Sequence, residues 1–235
     1  GNSTDAISII LCAFMAGLGL GGIYFGRIAD RTNDPLKMYA LLEVGIGATA
    51  LMVPFLLDIL RAVTPGLIAA LPPGLLSVSA VRLFFTFLIL FVPCSLMGGT
   101  LPVLARFAVD AKEMVGQRIG VLSGFNTLGG AFGCGLAGYL LVESLGISVT
   151  GYIAVATNLL SAAGAMGLRH LKGAPAPAAS AGDESGTPGA AGATDGVAEG
   201  AAEVTDGPAD RTGARILLFV AFLSGFTTLA CEVLW

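Results

Sequence analysis

The chain has 235 residues, of which 12% are charged and 55% belong to the nine apolar types. A soluble domain carries about 25% charged residues, so this composition, with 34 glycines and a mean hydropathy of +0.85, argues against an ordinary soluble enzyme. A formal charge of −4 without a basic stripe argues against a nucleic-acid binder. The class that fits is an all-α integral membrane protein.

Charge is unevenly placed. Residues 173–210 hold seven of the 16 acids and no Lys or Arg, so the remainder carries a net +3. The four cysteines (Cys12, Cys94, Cys134, Cys231) lie in apolar runs and form no CxxC. They read as small hydrophobes. The single histidine, His170, has no companion that would make a metal site, and no metal or cofactor is expected. The first apolar run lacks a basic leader and does not read as a signal peptide. Gly1 and Trp235 both read as cut ends, so the expectation is a fragment of a longer chain.

Six stretches are long and apolar enough to cross a bilayer, which takes about 20 residues. They run over 6–28, 38–57, 83–104, 119–142, 149–168 and 216–235. Residues 58–80 contain Pro65-Gly66 and Pro72-Pro73-Gly74, too many breakers for another span, and read as an outer connection with a short interfacial helix. Ten of the 12 basic residues flank the first–second, third–fourth and fifth–sixth connections; only Arg61 and Arg82 lie opposite. That bias places those connections in the cytoplasm and the N-terminus outside, in a plasma (bacterial inner) membrane. Residues 173–213 are Ala, Gly, Pro, Ser, Thr, Asp and Glu with two valines and one arginine, Arg211. Such a segment reads as a disordered cytoplasmic linker. The organisation expected is a five-span bundle over 1–172, the linker over 173–213, and the start of a second membrane repeat over 214–235.

Gly17, Gly19 and Gly22 satisfy GxGxxG, but inside a hydrophobic helix they read as packing surface, with Gly17/Gly21 and Gly22/Gly26 at i, i+4. Gly129/Gly133, continued by Ala137, repeats the device in the fourth span. Gly26-Arg27-Ile28-Ala29-Asp30-Arg31 closes the first span. Asp30 between two arginines suits either a conformational latch or a plain basic anchor. Glu43 lies inside the second span. An ionisable group there is functional by default, the alternatives being a reach to the interface or a pair with a nearby Arg. Glu232, near the outer boundary, lines a vestibule or meets water. Asn126 and Thr127 sit mid-membrane, as helix glue or as part of a path. Tyr24 and Trp235 suit interfacial belts.

The order of these features resembles the major facilitator superfamily, whose cytoplasmic loop after its second helix carries Gly-x-Leu-Ala-Asp-Arg. Gly26-Arg27-Ile28-Ala29-Asp30-Arg31 matches its first half, while Asn33-Asp34-Pro35 stands where Gly-Arg-Lys is usual. The chain also resembles a branch in which such a membrane region is fused to a spermidine synthase-like domain. The stretches that carry this are Phe14-Met15-Ala16-Gly17-Leu18-Gly19-Leu20-Gly21, Tyr39-Ala40-Leu41-Leu42-Glu43, Asn126-Thr127-Leu128-Gly129 and, near the end, Phe222-Leu223-Ser224-Gly225 with Glu232-Val233-Leu234-Trp235.

The resemblance implies a major-facilitator-like bundle fragment with six transmembrane spans. Its partners would be the lipid bilayer, the rest of the membrane repeat and a soluble synthase domain of the same polypeptide, with no nucleic acid. Aminopropyltransfer, if present, belongs to the parent protein. It further implies binding or transport of a polyamine-like cation, with Glu43, Glu232 and Asn126 at the site and Gly26, Arg27, Asp30 and Arg31 as the latch. The alternatives are a stand-alone secondary transporter and a passive anchor for an enzyme domain.

Overall fold

A computed structural model describes residues 4–69, 75–108, 115–172 and 208–234. Among them the structure is helical, with no strand: α1 (Thr4–Arg31), α2 (Pro35–Ala69), α3 (Leu75–Ala108), α4 (Val115–Gly135), a π-helical segment (Leu136–Leu141), α5 (Val142–Lys172) and α6 (Pro208–Leu234). Five stretches are long and apolar enough to cross a membrane; the fourth runs from Gly116 to Leu171 through α4, the π-segment and α5. Large apolar side chains cover the outside. Leu41, Phe55, Phe132 and Ile147 are each more than 60% exposed, where a soluble protein would be polar.

The 116–171 stretch is not one rod. Gly146 takes φ 79° and ψ 168°, which breaks the helix. In a straight helix, residues 130 and 164 would be roughly 51 Å apart. Both instead pack on α6, Gly130 at Gly225 and Leu229, and Gly164 at Val220. The chain therefore reverses at Gly146, between the fourth and fifth spans expected from sequence (119–142 and 149–168). A side chain is strained at this φ, which is why glycine stands there.

Two boundaries differ from expectation. The 58–80 connection is largely helix: α2 continues to Ala69 and α3 begins at Leu75. Pro65 removes one helical donor, but it sits near the end of α2, where residues 61–63 are exposed and water can satisfy the freed carbonyl. Thr64 also donates to the Leu60 carbonyl at 2.5 Å. The sixth helix begins at Pro208 rather than at 214–216, with proline in its first turn, where its missing N–H costs nothing. The interfacial helix expected within 58–80 is absent as a separate element among the described residues. Most of the expected linker, residues 173–207, lies outside the described residues, as does Trp235.

Glycines set the closest approaches. Along α1 and α3, a Cβ at Gly17 would lie 2.5 Å from the Cys94 Cβ, one at Gly21 would collide with the Ser95 carbonyl, and one at Gly98 with the Leu18 carbonyl. Gly26 meets Pro102 at 3.7 Å. Residue numbers rise together on both helices, so α1 and α3 run parallel. On α4 and α6, Gly129 and Gly133 lie against the Phe222 and Phe226 carbonyls, and Gly225 against that of Asn126. That pair is parallel too. The i, i+4 glycines thus pack helices, as their spacing predicts.

These pairs are part of a repeated pattern. α1 packs on α3 as α4 packs on α6; α2 packs on α3 as α5 packs on α6; α2 and α5 meet each other. Tyr39 faces Ser161, and Gly47 faces Val155 and Asn158, so α2 and α5 are antiparallel. The bundle is two three-helix units of opposite direction that meet along α2, α3, α5 and α6.

Candidate functional site

The site lies on the α2–α5–α6 seam. Asp34 starts α2: its Oδ1 accepts from the Lys37 backbone N–H at 3.1 Å, an N-cap followed by proline at the first helical position. Nine residues on, roughly 13 Å along the axis, comes Glu43. It is 0% exposed, and neither carboxyl oxygen has a hydrogen-bond partner. It forms no ion pair with any described Lys or Arg. It therefore neither reaches the interface nor meets an arginine, the two bland alternatives open in the sequence.

What surrounds it is polar. The hydroxyls of Tyr39, Ser161 and Ser224 act on the carboxyl electrostatically, though none meets it in hydrogen-bond geometry. Tyr39 precedes Glu43 by one turn and shares its face. Its Oη is 2.7 Å from the Ser161 Oγ and donates to the Val220 carbonyl at 3.4 Å. Ser161 also reaches that carbonyl at 3.5 Å. Ser224 donates to Thr100 Oγ1 at 3.2 Å, and Thr100 donates to the Met97 carbonyl at 2.8 Å. The Cys231 thiol lies within electrostatic reach of Glu43. Asn158 is buried one turn from Ser161, beside Gly47, and its Nδ2 has no partner.

The donors in this ring are spent elsewhere. One of Tyr39 and Ser161 gives its hydrogen to the other, which gives its own to Val220; Ser224 gives to Thr100, and Thr100 to Met97. An isolated buried carboxylate is costly, so the Glu43 carboxyl calls for a proton, a cation or hydrogen-bond donors.

The other expected residues lie elsewhere. Asn126 approaches α6 at Gly225 through its backbone carbonyl, next to Ser224 but not among the groups acting on Glu43. Glu232 falls on the last turn of α6, and its side chain lies outside the described residues. Gly26 packs against Pro102, while Arg27, Asp30 and Arg31 are exposed at the end of α1. Asp30 pairs with no described base; the ion pair across this end joins Asp34 Oδ2 to Arg169 Nε at 2.5 Å, both partly buried. His170 is exposed beside it. Among the described residues no group of His, Cys, Asp and Glu could hold a metal ion.

The sequence singled out Glu43 but not its neighbours Tyr39, Thr100, Asn158, Ser161 and Ser224, nor the Asp34–Arg169 pair. The available signal was the i, i+4 spacing of Tyr39 and Glu43, the i, i+3 spacing of Asn158 and Ser161, and the Asp-Pro helix start at 34–35. No protein family, curated protein or solved structure matches the chain.

Proposed function

We propose that this chain is a membrane-integral module that binds and moves a cation, with Glu43 as its counter-charge. The observation that carries the proposal is the fully buried Glu43 carboxyl, whose two oxygens meet no hydrogen-bond partner and no described Lys or Arg. A site at the seam between two oppositely directed helical units, near mid-membrane, suits transport. In this reading α1 to α6 make six crossings in a major-facilitator-like arrangement. The basic ends face the cytoplasm of a bacterial inner membrane and the N-terminus lies outside.

The resemblance to spermidine synthase fusions makes a polyamine-like ammonium the first cation to test. A synthase domain of the parent polypeptide is then its natural source or destination. Uptake of labelled spermidine into proteoliposomes holding the full-length protein tests this. Wild type is expected to take it up and Glu43→Gln to lose at least nine-tenths of the rate. Equal uptake by both would remove Glu43 from the function and favour a passive anchor.

A further inference from the structure

We infer that Glu43 and Asn158 are equivalent positions of an inverted repeat, and that Asn158 is the positioning residue of the Glu43 carboxyl. Its Nδ2–H donates to that carboxyl across the α2–α5 seam, directly or through one water. The pairing stands on packing alone; it deepens the cation reading and rests on it only for its effect on uptake.

The repeat is visible in the closest helix contacts. Gly21 lies against the Ser95 carbonyl and Gly98 against that of Leu18; Gly129 lies against the Phe222 carbonyl and Gly225 against that of Asn126. In both units each glycine stands three residues after the carbonyl its own helix offers, so α1 with α3 and α4 with α6 make the same reciprocal contact. The seam between the units follows suit. Tyr39 on α2 meets Ser161 on α5 at 2.7 Å, and Ile46 on α2 shares one buried cluster with Ala154 on α5. Glu43 stands four residues after Tyr39 and three before Ile46. Asn158 stands four residues after Ala154 and three before Ser161. The exchange of units that carries one contact onto the other therefore carries Glu43 onto Asn158.

The same two residues are the open ones. Eight polar or charged residues are buried among the described residues. Thr64, Thr100, Thr150, Ser161, Ser224 and Thr227 all make hydrogen bonds. The other two, Glu43 and Asn158, hold the only buried side-chain oxygens and nitrogen left without a partner. Their chemistry is complementary, since a carboxylate accepts and an amide nitrogen donates. Their placement is too. Glu43 lies one turn from Tyr39 and one from Gly47, on the face they share. Those two neighbours meet α5 at Ser161 and Asn158, the latter with its Cβ 3.7 Å from a Cβ placed at Gly47. Carboxyl and amide thus share one stretch of the seam, where a side-chain rotation or one bridging water joins them.

The test is a double-variant cycle on the purified full-length protein in detergent, without added polyamine. Replacing an orphaned polar group by an apolar one of similar shape is neutral or stabilising, whereas removing one member of a pair leaves the other unsatisfied. Asn158→Leu should lower Tm by about 2–4 °C in the wild-type background and leave it unchanged or higher in Glu43→Met. Asn158→Ala should likewise lose more in wild type than in Glu43→Met. The infrared carboxyl band assigned by its loss in Glu43→Gln should move in Asn158→Leu, which a merely structural Asn158 would not cause. Additive losses, or a Tm raised by Asn158→Leu in wild type, would overturn the pairing and leave the cation reading to spermidine uptake. An unmoved band would overturn the positioning role even where the cycle couples. A coupled cycle and a moved band, with spermidine uptake equal in wild type and Glu43→Gln, would keep the pairing and overturn the cation reading.

Discussion

Gly19 and Gly21 lie two residues apart on α1, and the same substitution should move stability in opposite directions. A Cβ at Gly21 would collide with the Ser95 carbonyl, with the Ser95 carbonyl carbon 2.6 Å away; a Cβ at Gly19 meets nothing within 4 Å. Backbone cannot rotate aside as a side chain can. Gly21→Ala must push α1 off α3 and loosen the Gly17–Cys94 and Gly22–Gly98 approaches on either side of it. Overpacking of this kind costs about 1–3 kcal/mol. Gly19→Ala keeps the interface and exchanges glycine for the best helix former, a gain of up to about 1 kcal/mol. At ~2–4 °C per kcal/mol for a chain of this size, Gly21→Ala should lower Tm by roughly 5 °C, and Gly19→Ala should raise it by about 2 °C. Melting in detergent followed by thiol reactivity of buried Cys94 reads both. Equal shifts, or a tolerated Gly21→Ala, would refute the direct backbone contact between α1 and α3.

Gly146→Ala tests backbone strain without any clash, because nothing lies within 4 Å of a Cβ there but φ is +79°. It should cost about 1–3 kcal/mol, seen as a lower Tm, and an unchanged Tm would place the α4–α5 reversal elsewhere. Asp34→Ala and Arg169→Ala, taken with the double variant, should show a coupling of about 1 kcal/mol, between the values for exposed and buried pairs; additive effects would deny the pair. Tyr39→Phe removes the hydroxyl bonded to Ser161 and Val220 and should cost about 1 kcal/mol in chemical denaturation, while a neutral effect would remove it from the network.

The membrane class and the helices could be read from sequence because both rest on local apolar length. Packing by Gly17/Gly21 and Gly129/Gly133 was also visible, since i, i+4 spacing alone puts two glycines on one face. The polar ring was not. Thr100, Ser161 and Ser224 are single, weakly polar residues on three different helices, and only tertiary packing brings them to the Glu43 seam. The Asp34–Arg169 pair was not legible for a related reason. Asp30 between two arginines carries a strong local pattern, whereas Asp34 gains its partner, Arg169, from 135 positions away. Pro65 misled in the other direction, because a proline near a helix end can be absorbed, as Pro54, Pro93 and Pro102 are inside α2 and α3.

The central claim is that a cation meets the Glu43 carboxyl. Infrared difference spectra of the full-length protein, recorded with and without propylammonium or sodium, observe that group directly. A carboxyl band that changes on cation addition in wild type and is missing in Glu43→Gln is the predicted result. Cation binding that leaves the carboxyl region unchanged, or a band that persists in Glu43→Gln, would contradict it.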